Sequence, residues 1–183
     1  MSIPEPAPRR PGALLAVPLL AGAAVAVALG VFGRLHTPTA RALWLGPFPT
    51  LTAMKVWLTI VVIALALVQL LSASWMYGRL GGRPPRWVGP LHRVSGVLAV
   101  LVSLPVAANC LWVLGLQSYN ARVLAHGLLG CAFYGAFVAK VLTVHDRRLP
   151  TWAVPTVGGL LLTAAVAVSL TSAGWYLATE GTP

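Results

Sequence analysis

The sequence predicts an all-α integral membrane protein with five transmembrane helices, and three observations support this fold class. Of the 183 residues, 58% are hydrophobic and only 9% are charged, whereas a typical soluble domain has roughly 25% charged residues. Five apolar runs reach the length of about 20 residues that an α-helix needs to cross roughly 30 Å of hydrocarbon. Most of the tryptophans lie near the ends of these runs, where indole prefers the membrane interface. This composition excludes a soluble globular enzyme and a disordered chain.

The predicted spans, in chain order, cover residues 13–32, 53–77, 88–114, 121–144 and 154–177. Each is helical because every backbone amide within hydrocarbon must be hydrogen-bonded inside its own segment, and the period-two alternation of a β-barrel is absent. Together the spans form a single domain over residues 13–177. The proline-rich residues 1–12 are expected to form a flexible cytoplasmic tail, and residues 178–183 a short outer tail.

The first span also has features of a secretory signal peptide, because Arg9 and Arg10 precede an apolar stretch. The run is long enough to cross the membrane, which favours a retained helix over a cleaved one. In both cases the second span enters from the outer side.

The connections between spans contain turn-forming residues, such as Gly46-Pro47 in the first connection and Gly81-Gly82 in the second. The third connection, 115–120, is six residues long. A connection this short predicts that the third and fourth helices are antiparallel neighbours.

The basic residues determine the expected orientation. Nine lie on the side of the N-terminus, namely Arg9, Arg10, Arg79, Arg83, Arg86, Arg93, Lys140, Arg147 and Arg148, and four lie on the other, namely Arg34, Arg41, Lys55 and Arg122. By the positive-inside rule the N-terminus is cytoplasmic and the C-terminus is outside, in a bacterial plasma membrane. The net charge of +10 is therefore attributed to topology and to anionic lipid head groups, and nucleic acid is excluded as a partner because no basic stripe is interleaved with aromatic residues.

The side chains most suited to chemistry are the four histidines, because ionisable groups within spans usually face a bundle interior, a cavity or a cofactor. His36 and His126 lie at the outer level, and His92 and His145 at the inner level. Two levels of histidine are typical of b-type cytochromes, in which imidazoles on different helices hold the haem iron. The rise between His126 and His145 is roughly 28 Å, which favours one haem over two.

Each histidine also has a structural interpretation. His126 pairs with Asn109, a polar residue at the same depth on the third span. His36 and His145 are solvated loop residues, and His92 contacts a head group at the interface. The glycines and serines near these histidines serve ordinary packing of membrane helices.

Other kinds of site are disfavoured by the positions of the acids and cysteines. The three acidic residues, Glu5, Asp146 and Glu180, all lie outside the spans, so a carboxylate proton relay is not expected. Cys110 and Cys131 differ in depth by roughly 9 Å, which indicates two packed thiols and no disulfide. No phosphate-binding loop and no zinc-ligand cluster is found in the sequence.

Several segments resemble a bacterial family of small, uncharacterised five-helix membrane proteins. They are Gly33 to Thr39, Pro85 to Arg93, Ala121 to Cys131 and Gly135 to Val141. The placement of histidines is also similar, more distantly, to that in ferric-reductase-like b-type cytochrome membrane domains. The resemblance implies a five-helix membrane protein that works with a redox partner.

We therefore expect a b-type haem electron-transfer subunit. His126 is the first candidate ligand of the haem iron, His36 and His92 are the next, and His145 is a further candidate for cofactor binding. Arg93 or Arg122 is expected to pair with the haem propionates. The alternative is a cofactor-free membrane anchor or assembly subunit, followed by a small-molecule carrier. The expected partners are the lipid bilayer and a redox protein, with homo- and hetero-oligomers left open.

Overall fold

The computed structural model describes residues 11–183, which are helical throughout their regular elements and contain no β-strand. The long helices are α1 (Pro11–Leu35), α2 (Leu51–Met76), α3 (Val88–Ala108), α4 (Ala121–His145) and α5 (Ala153–Ser169). A π-helical segment, Asn109–Leu114, extends α3, and a second one, Leu170–Gly174, joins α5 to a short helix α6 (Trp175–Thr179). The all-α fold class is confirmed.

Five stretches of helix are long and apolar enough to cross a membrane. They are Leu14–Leu35, Leu51–Met76, Val88–Leu114, Ala121–His145 and Ala153–Thr179. The largest difference from the predicted spans is at the end of the first, where α1 continues from Phe32 to Leu35. Of the predicted N-terminal tail, residues 1–10 lie outside the described residues, whereas Pro11 and Gly12 belong to α1.

Polar caps and a glycine determine where several helices begin and end. The Thr50 side chain accepts a hydrogen bond from Ala53 N at 3.0 Å before α2, and the Asn120 side chain accepts one from Val123 N at 2.9 Å before α4. Such caps satisfy amides that have no partner within the helix. Gly115 ends the first π-helical segment with φ at 68°, in the left-handed region that favours glycine.

Helix α4 is the centre of the packing, because it contacts α1 on one side and α5 on the other, whereas α3 packs mainly against α2. The closest approach is between α1 and α4, where Gly22 and Gly135 face each other. A Cβ built on either glycine would collide with the carbonyl oxygen of the other. Small residues at a helix crossing allow this closeness, since membrane helices are held together by van der Waals contact.

The short third connection predicts that α3 and α4 are antiparallel neighbours, and one hydrogen bond joins the two helices, but they do not pack closely along their lengths. The short connection brings the two helix ends together, but it then turns towards α1, where Leu116 N donates a hydrogen bond to Gly33 O at 2.6 Å. The Leu116 side chain packs against Gly127 of α4. Along their lengths α3 and α4 are bridged by a hydrogen bond of 2.8 Å between the Ser103 and Tyr134 hydroxyls, and the connection does not force the helices into close packing.

The two ends of the bundle differ in the residues they carry. We call the end with the connections 36–50 and 115–120 the cavity end, and the end with the connections 77–87 and 146–152 the opposite end. At the opposite end Asp146 and Arg148 form an exposed ion pair at 2.9 Å. Hydrogen bonds from the Arg148 side chain and backbone hold the pKa of Asp146 below its ordinary value.

Candidate functional site

A cavity of about 460 Å³ lies at the cavity end of the bundle, in the space left between α3 and α4. All five long helical stretches contribute to its walls. The α4 residues that line it include Arg122, His126, Gly130 and Tyr134, which recur at a spacing of four residues and so lie on one helix face. A volume of this size is within the range of about 300–1,000 Å³ that is usual for ligand pockets.

His126 is the histidine that lines this cavity, and α5 fixes its ring orientation. Its Nδ1 lies 3.2 Å from the Val168 carbonyl oxygen and 3.4 Å from Thr171 Oγ1. Because a carbonyl oxygen can only accept, Nδ1 carries the proton and Nε2 keeps its lone pair. Nε2 makes no hydrogen bond with residues 11–183. A histidine whose second nitrogen is held by a backbone carbonyl has the arrangement usual for metal-ligating imidazoles.

His36 lies outside the cavity lining, directly after α1. Its ring stacks on Phe32 at 5.0 Å between centroids and contacts the Trp112 ring at 4.7 Å. Its Nε2 donates a hydrogen bond to Trp112 O at 3.2 Å. The three rings contact one another, since Phe32 and Trp112 are also 5.4 Å apart between centroids, and His36 thereby fastens the end of α1 to the first π-helical segment.

His92 belongs to a polar network between α2 and α3 near the opposite end of the bundle. Ser72 Oγ donates to Val68 O at 2.6 Å and so accepts from His92 Nδ1 at 2.9 Å. The Gln69 amide donates to Ser95 Oγ at 2.7 Å and to His92 O. The network thus joins α2 and α3 through hydrogen bonds between side chains of the two helices.

The structure does not bring the four histidines together. His145 is exposed at the end of α4, where its Nδ1 bonds to Val141 O at 2.7 Å one turn earlier. Within residues 11–183, no three side chains of histidine, cysteine, aspartate or glutamate form a group that could hold a metal ion. The cavity thus contains one imidazole, that of His126. His36, His92 and His145 remain candidates from the sequence, but they do not line the cavity.

The proposed pairing of His126 with Asn109 is wrong, because Asn109 is used elsewhere. Its side chain is 1% exposed, accepts from Leu43 N at 3.0 Å and donates to Pro105 O at 2.9 Å. It thereby attaches the 36–50 connection to the start of the first π-helical segment. The Asn109 amide is thus hydrogen-bonded to these residues and makes no hydrogen bond with His126.

Two cations contribute to the cavity lining. Arg122 donates to Thr171 O at 2.8 Å, and its guanidinium lies 3.7 Å from the centroid of the Trp175 ring. Lys55, one turn into α2, lines the cavity without a hydrogen bond or ion pair to residues 11–183. No acidic side chain of the described residues 11–183 is part of the lining.

The lining contains further groups that the histidine pattern does not indicate. Lys55, Thr52 and Thr59 lie on one face of α2, and Thr171 and Tyr134 add hydroxyls from α5 and α4. The recurrence of polar residues at positions 52, 55 and 59 of an otherwise apolar span is a sequence signal for a polar helix face. Both thiols, Cys110 and Cys131, are free and line the cavity.

The α4 wall of the cavity has the most open surface for a flat group. Gly130 lies one turn below His126 in the cavity lining, and a Cβ at Gly130 would meet only Val168 at 3.8 Å, whereas Gly127 is covered by the Leu116 side chain. Such a wall leaves room for a planar ring system beside an imidazole, while Lys55 and Arg122 suit acidic substituents. The cavity therefore offers one imidazole and two cations to a planar group with acidic substituents, and the described residues do not supply the second imidazole of a haem held between two histidines.

The fold and cavity define a five-helix integral membrane protein with a largely apolar cavity that contains a few polar and basic side chains. A family model described as a family of unknown function, DUF6529, matches residues 15–183, and the chain belongs to this family. No curated protein and no solved structure matches the chain. The resemblance to an uncharacterised family is thus confirmed at that level, whereas the likeness to b-type cytochrome domains stays an expectation.

Proposed function

We propose that the protein is a membrane-embedded electron-transfer subunit that binds one haem b in the cavity, with His126 as the axial ligand. The observation that carries the proposal is the state of the His126 ring. Its Nδ1 is held by Val168 O, and its Nε2 has no partner among the described residues. A neutral imidazole with a fixed tautomer and an available lone pair is the form that binds iron.

The walls of the cavity support the same assignment. Gly130 leaves the face of α4 open one turn below the imidazole. Lys55 and Arg122 supply two positive charges that suit the two propionates of haem b. Of the two arginines expected to pair with propionates, Arg122 lines the cavity and Arg93 does not.

The residues of the chain have separate tasks in this proposal. His126 provides the ligand nitrogen, and Val168 O holds the ring and raises its basicity. The apolar residues of α3 and α4 in the cavity lining limit the contact of the bound group with water, one of the factors that control the reduction potential. Haem iron, when bound, supplies one-electron redox chemistry.

The test is an optical spectrum of the detergent-purified protein, expressed with haem precursor in excess, before and after reduction with dithionite. We expect a b-type spectrum with a Soret band. Since the cavity has a single histidine, the reduced protein should also bind carbon monoxide at an open coordination position. A protein with sharp low-spin bands and no response to carbon monoxide would contradict single-histidine ligation.

Two variants separate ligation from folding. His126→Ala should remove the Soret band while the protein stays inserted and monodisperse in detergent. His145→Ala, which alters an exposed histidine on the same helix, should keep the full haem content. If the wild-type protein is colourless, or if His126→Ala keeps its haem, the proposal fails and the cofactor-free anchor becomes the better assignment.

A further inference from the structure

We infer that Lys55 and Arg122 form a binding subsite for an oxyanion head group, carboxylate or phosphate, on an apolar molecule that enters the cavity. This inference concerns the charge of the cavity and does not depend on haem. The described lining of the cavity carries positive charge without negative charge. Lys55 and Arg122 line one partly open cavity, and among residues 11–183 no acidic residue lines it with them.

The acids of the described chain cannot balance these charges. Asp146 is at the opposite end of the bundle, where it pairs with Arg148. Glu180 follows α6 and is not part of the cavity lining. A positive charge next to hydrocarbon is costly unless it is paired or hydrated.

The two side chains are prepared differently for binding. Arg122 is held in place by Thr171 O and by the Trp175 ring, and one hydrogen bond uses only part of its donor capacity. The fixed guanidinium can present a planar set of N–H groups to an oxyanion. Lys55 has no hydrogen bond to residues 11–183, so its ammonium group can move to meet a ligand.

The rest of the cavity requires the ligand to have an apolar body. The lining next to the cations is formed by residues such as Val56, Leu111, Leu114 and Val123. At its outer rim the cavity reaches Tyr119, which is 75% exposed. A molecule with one charged head and one apolar part matches this division, whereas a small inorganic anion would leave the apolar walls without contact.

The experiment compares three probes of equal chain length: palmitate, hexadecyl phosphate and methyl palmitate. Binding is measured by titration and native mass spectrometry of the purified protein in a non-ionic detergent. We expect one or both acids to bind at least about tenfold more tightly than the ester, because charge-assisted hydrogen bonds are the stronger ones. The acid that binds more tightly identifies the head group as carboxylate or phosphate.

The variants identify the cations responsible. Lys55→Met should reduce the preference for the acid about tenfold, and Lys55→Arg should restore most of it. Lys140→Met is the matched control, because Lys140 is a half-buried lysine of α4 that does not line the cavity. Equal affinity for acid and ester, or equal effects of Lys55→Met and Lys140→Met, would overturn the inference.

A further variant keeps this inference separate from the haem proposal. His126→Ala removes the proposed iron ligand and leaves both cations, so it should still prefer the acids over the ester. If the protein binds no haem but keeps this preference, the proposed function fails and the subsite stands. Because haem would occupy the same cavity and the same two cations, the deciding titration uses protein prepared without haem. If the haem-free protein shows no preference although the wild-type protein binds haem when it is supplied, the subsite fails and the proposed function stands.

Discussion

Single residues determine how closely the helices of this bundle approach one another. Gly22 and Gly135 let the α1 and α4 backbones touch, and the buried side chain of Asn109 attaches a connection to a helix end. None of these three residues lines the cavity. Their effects are on packing and on the satisfaction of backbone groups, which in hydrocarbon have no water as an alternative partner.

Gly135→Ala should therefore destabilise the protein. The added methyl group would collide with Gly22 O and with the Ala26 side chain, so α1 and α4 would have to separate. Overpacking of this kind costs about 1–3 kcal/mol. The measurement is the thermal unfolding temperature in detergent, which we expect to fall.

Gly30→Ala is the control for this substitution. It is a glycine of α1 at which an added Cβ meets nothing within 4 Å. Because alanine favours a helix over glycine by up to about 1 kcal/mol, this variant should be as stable as the wild type or more so. Equal unfolding temperatures for Gly135→Ala and the wild type would show that the glycine contact is not required.

At the scale of elements, the α2–α3 pair is joined by a polar network and the α3–α4 pair by one hydrogen bond. The network of Gln69, Ser72, His92 and Ser95 lies in a different part of the bundle from the cavity. Its side chains satisfy one another, as expected of polar groups that hold membrane helices together. The network thus explains His92 as a structural residue.

His92→Ala should lower stability and leave ligand binding unchanged. Interhelical hydrogen bonds in membranes are worth about 0.6 kcal/mol on average and up to about 1.7 kcal/mol, so we expect a small decrease in the unfolding temperature. The haem content and the preference for acidic probes should equal those of the wild type. A loss of haem in this variant, with the fold intact, would return His92 to the group of ligands.

Several features of the fold and site could be predicted from the sequence, and others could not. The spans follow from bilayer thickness and hydropathy, and His126 stands out because an ionisable side chain within a span needs a reason to be there. The separation of α3 from α4 was missed, because a short connection constrains helix ends and leaves packing to side chains such as Leu116. Lys55 was interpreted as a topology signal, because the sequence does not show whether a lysine one turn inside a predicted span lies within the bilayer or at its flank.

At the scale of the whole molecule, the distribution of charge gives the bundle two unlike ends. Basic residues flank the opposite end in the connections 77–87 and 146–152, where they are exposed. At the cavity end Lys55 and Arg122 are half-buried in the lining. By the positive-inside rule we predict that the opposite end, which carries more exposed basic residues than the cavity end, faces the cytoplasm.

The orientation can be tested with reporters fused to the C-terminus, which follows α6 at the cavity end. In a bacterial host we expect a C-terminal alkaline phosphatase fusion to be active and a C-terminal green fluorescent protein fusion to be dark. The same two reporters fused after residue 80, in the second connection, should give the opposite pattern. A fluorescent C-terminal fusion would reverse the orientation and put the cavity on the cytoplasmic side.

The two π-helical segments add residues to the helices that form the cavity wall. Both flank the cavity, and Cys110, Leu111, Thr171 and Ser172 from these segments are part of its wall. A π-helical turn contains an extra residue relative to an α-helix, and each residue of an α-helix rotates the chain by about 100°. A one-residue deletion in either segment could therefore be absorbed by converting the π-helical turn into an α-helical one, with the residues on both sides kept on their faces. Such a deletion would change the cavity wall at that turn and leave the packing of the flanking helices in place, so these two segments are where the shape of the site can change without a change of fold.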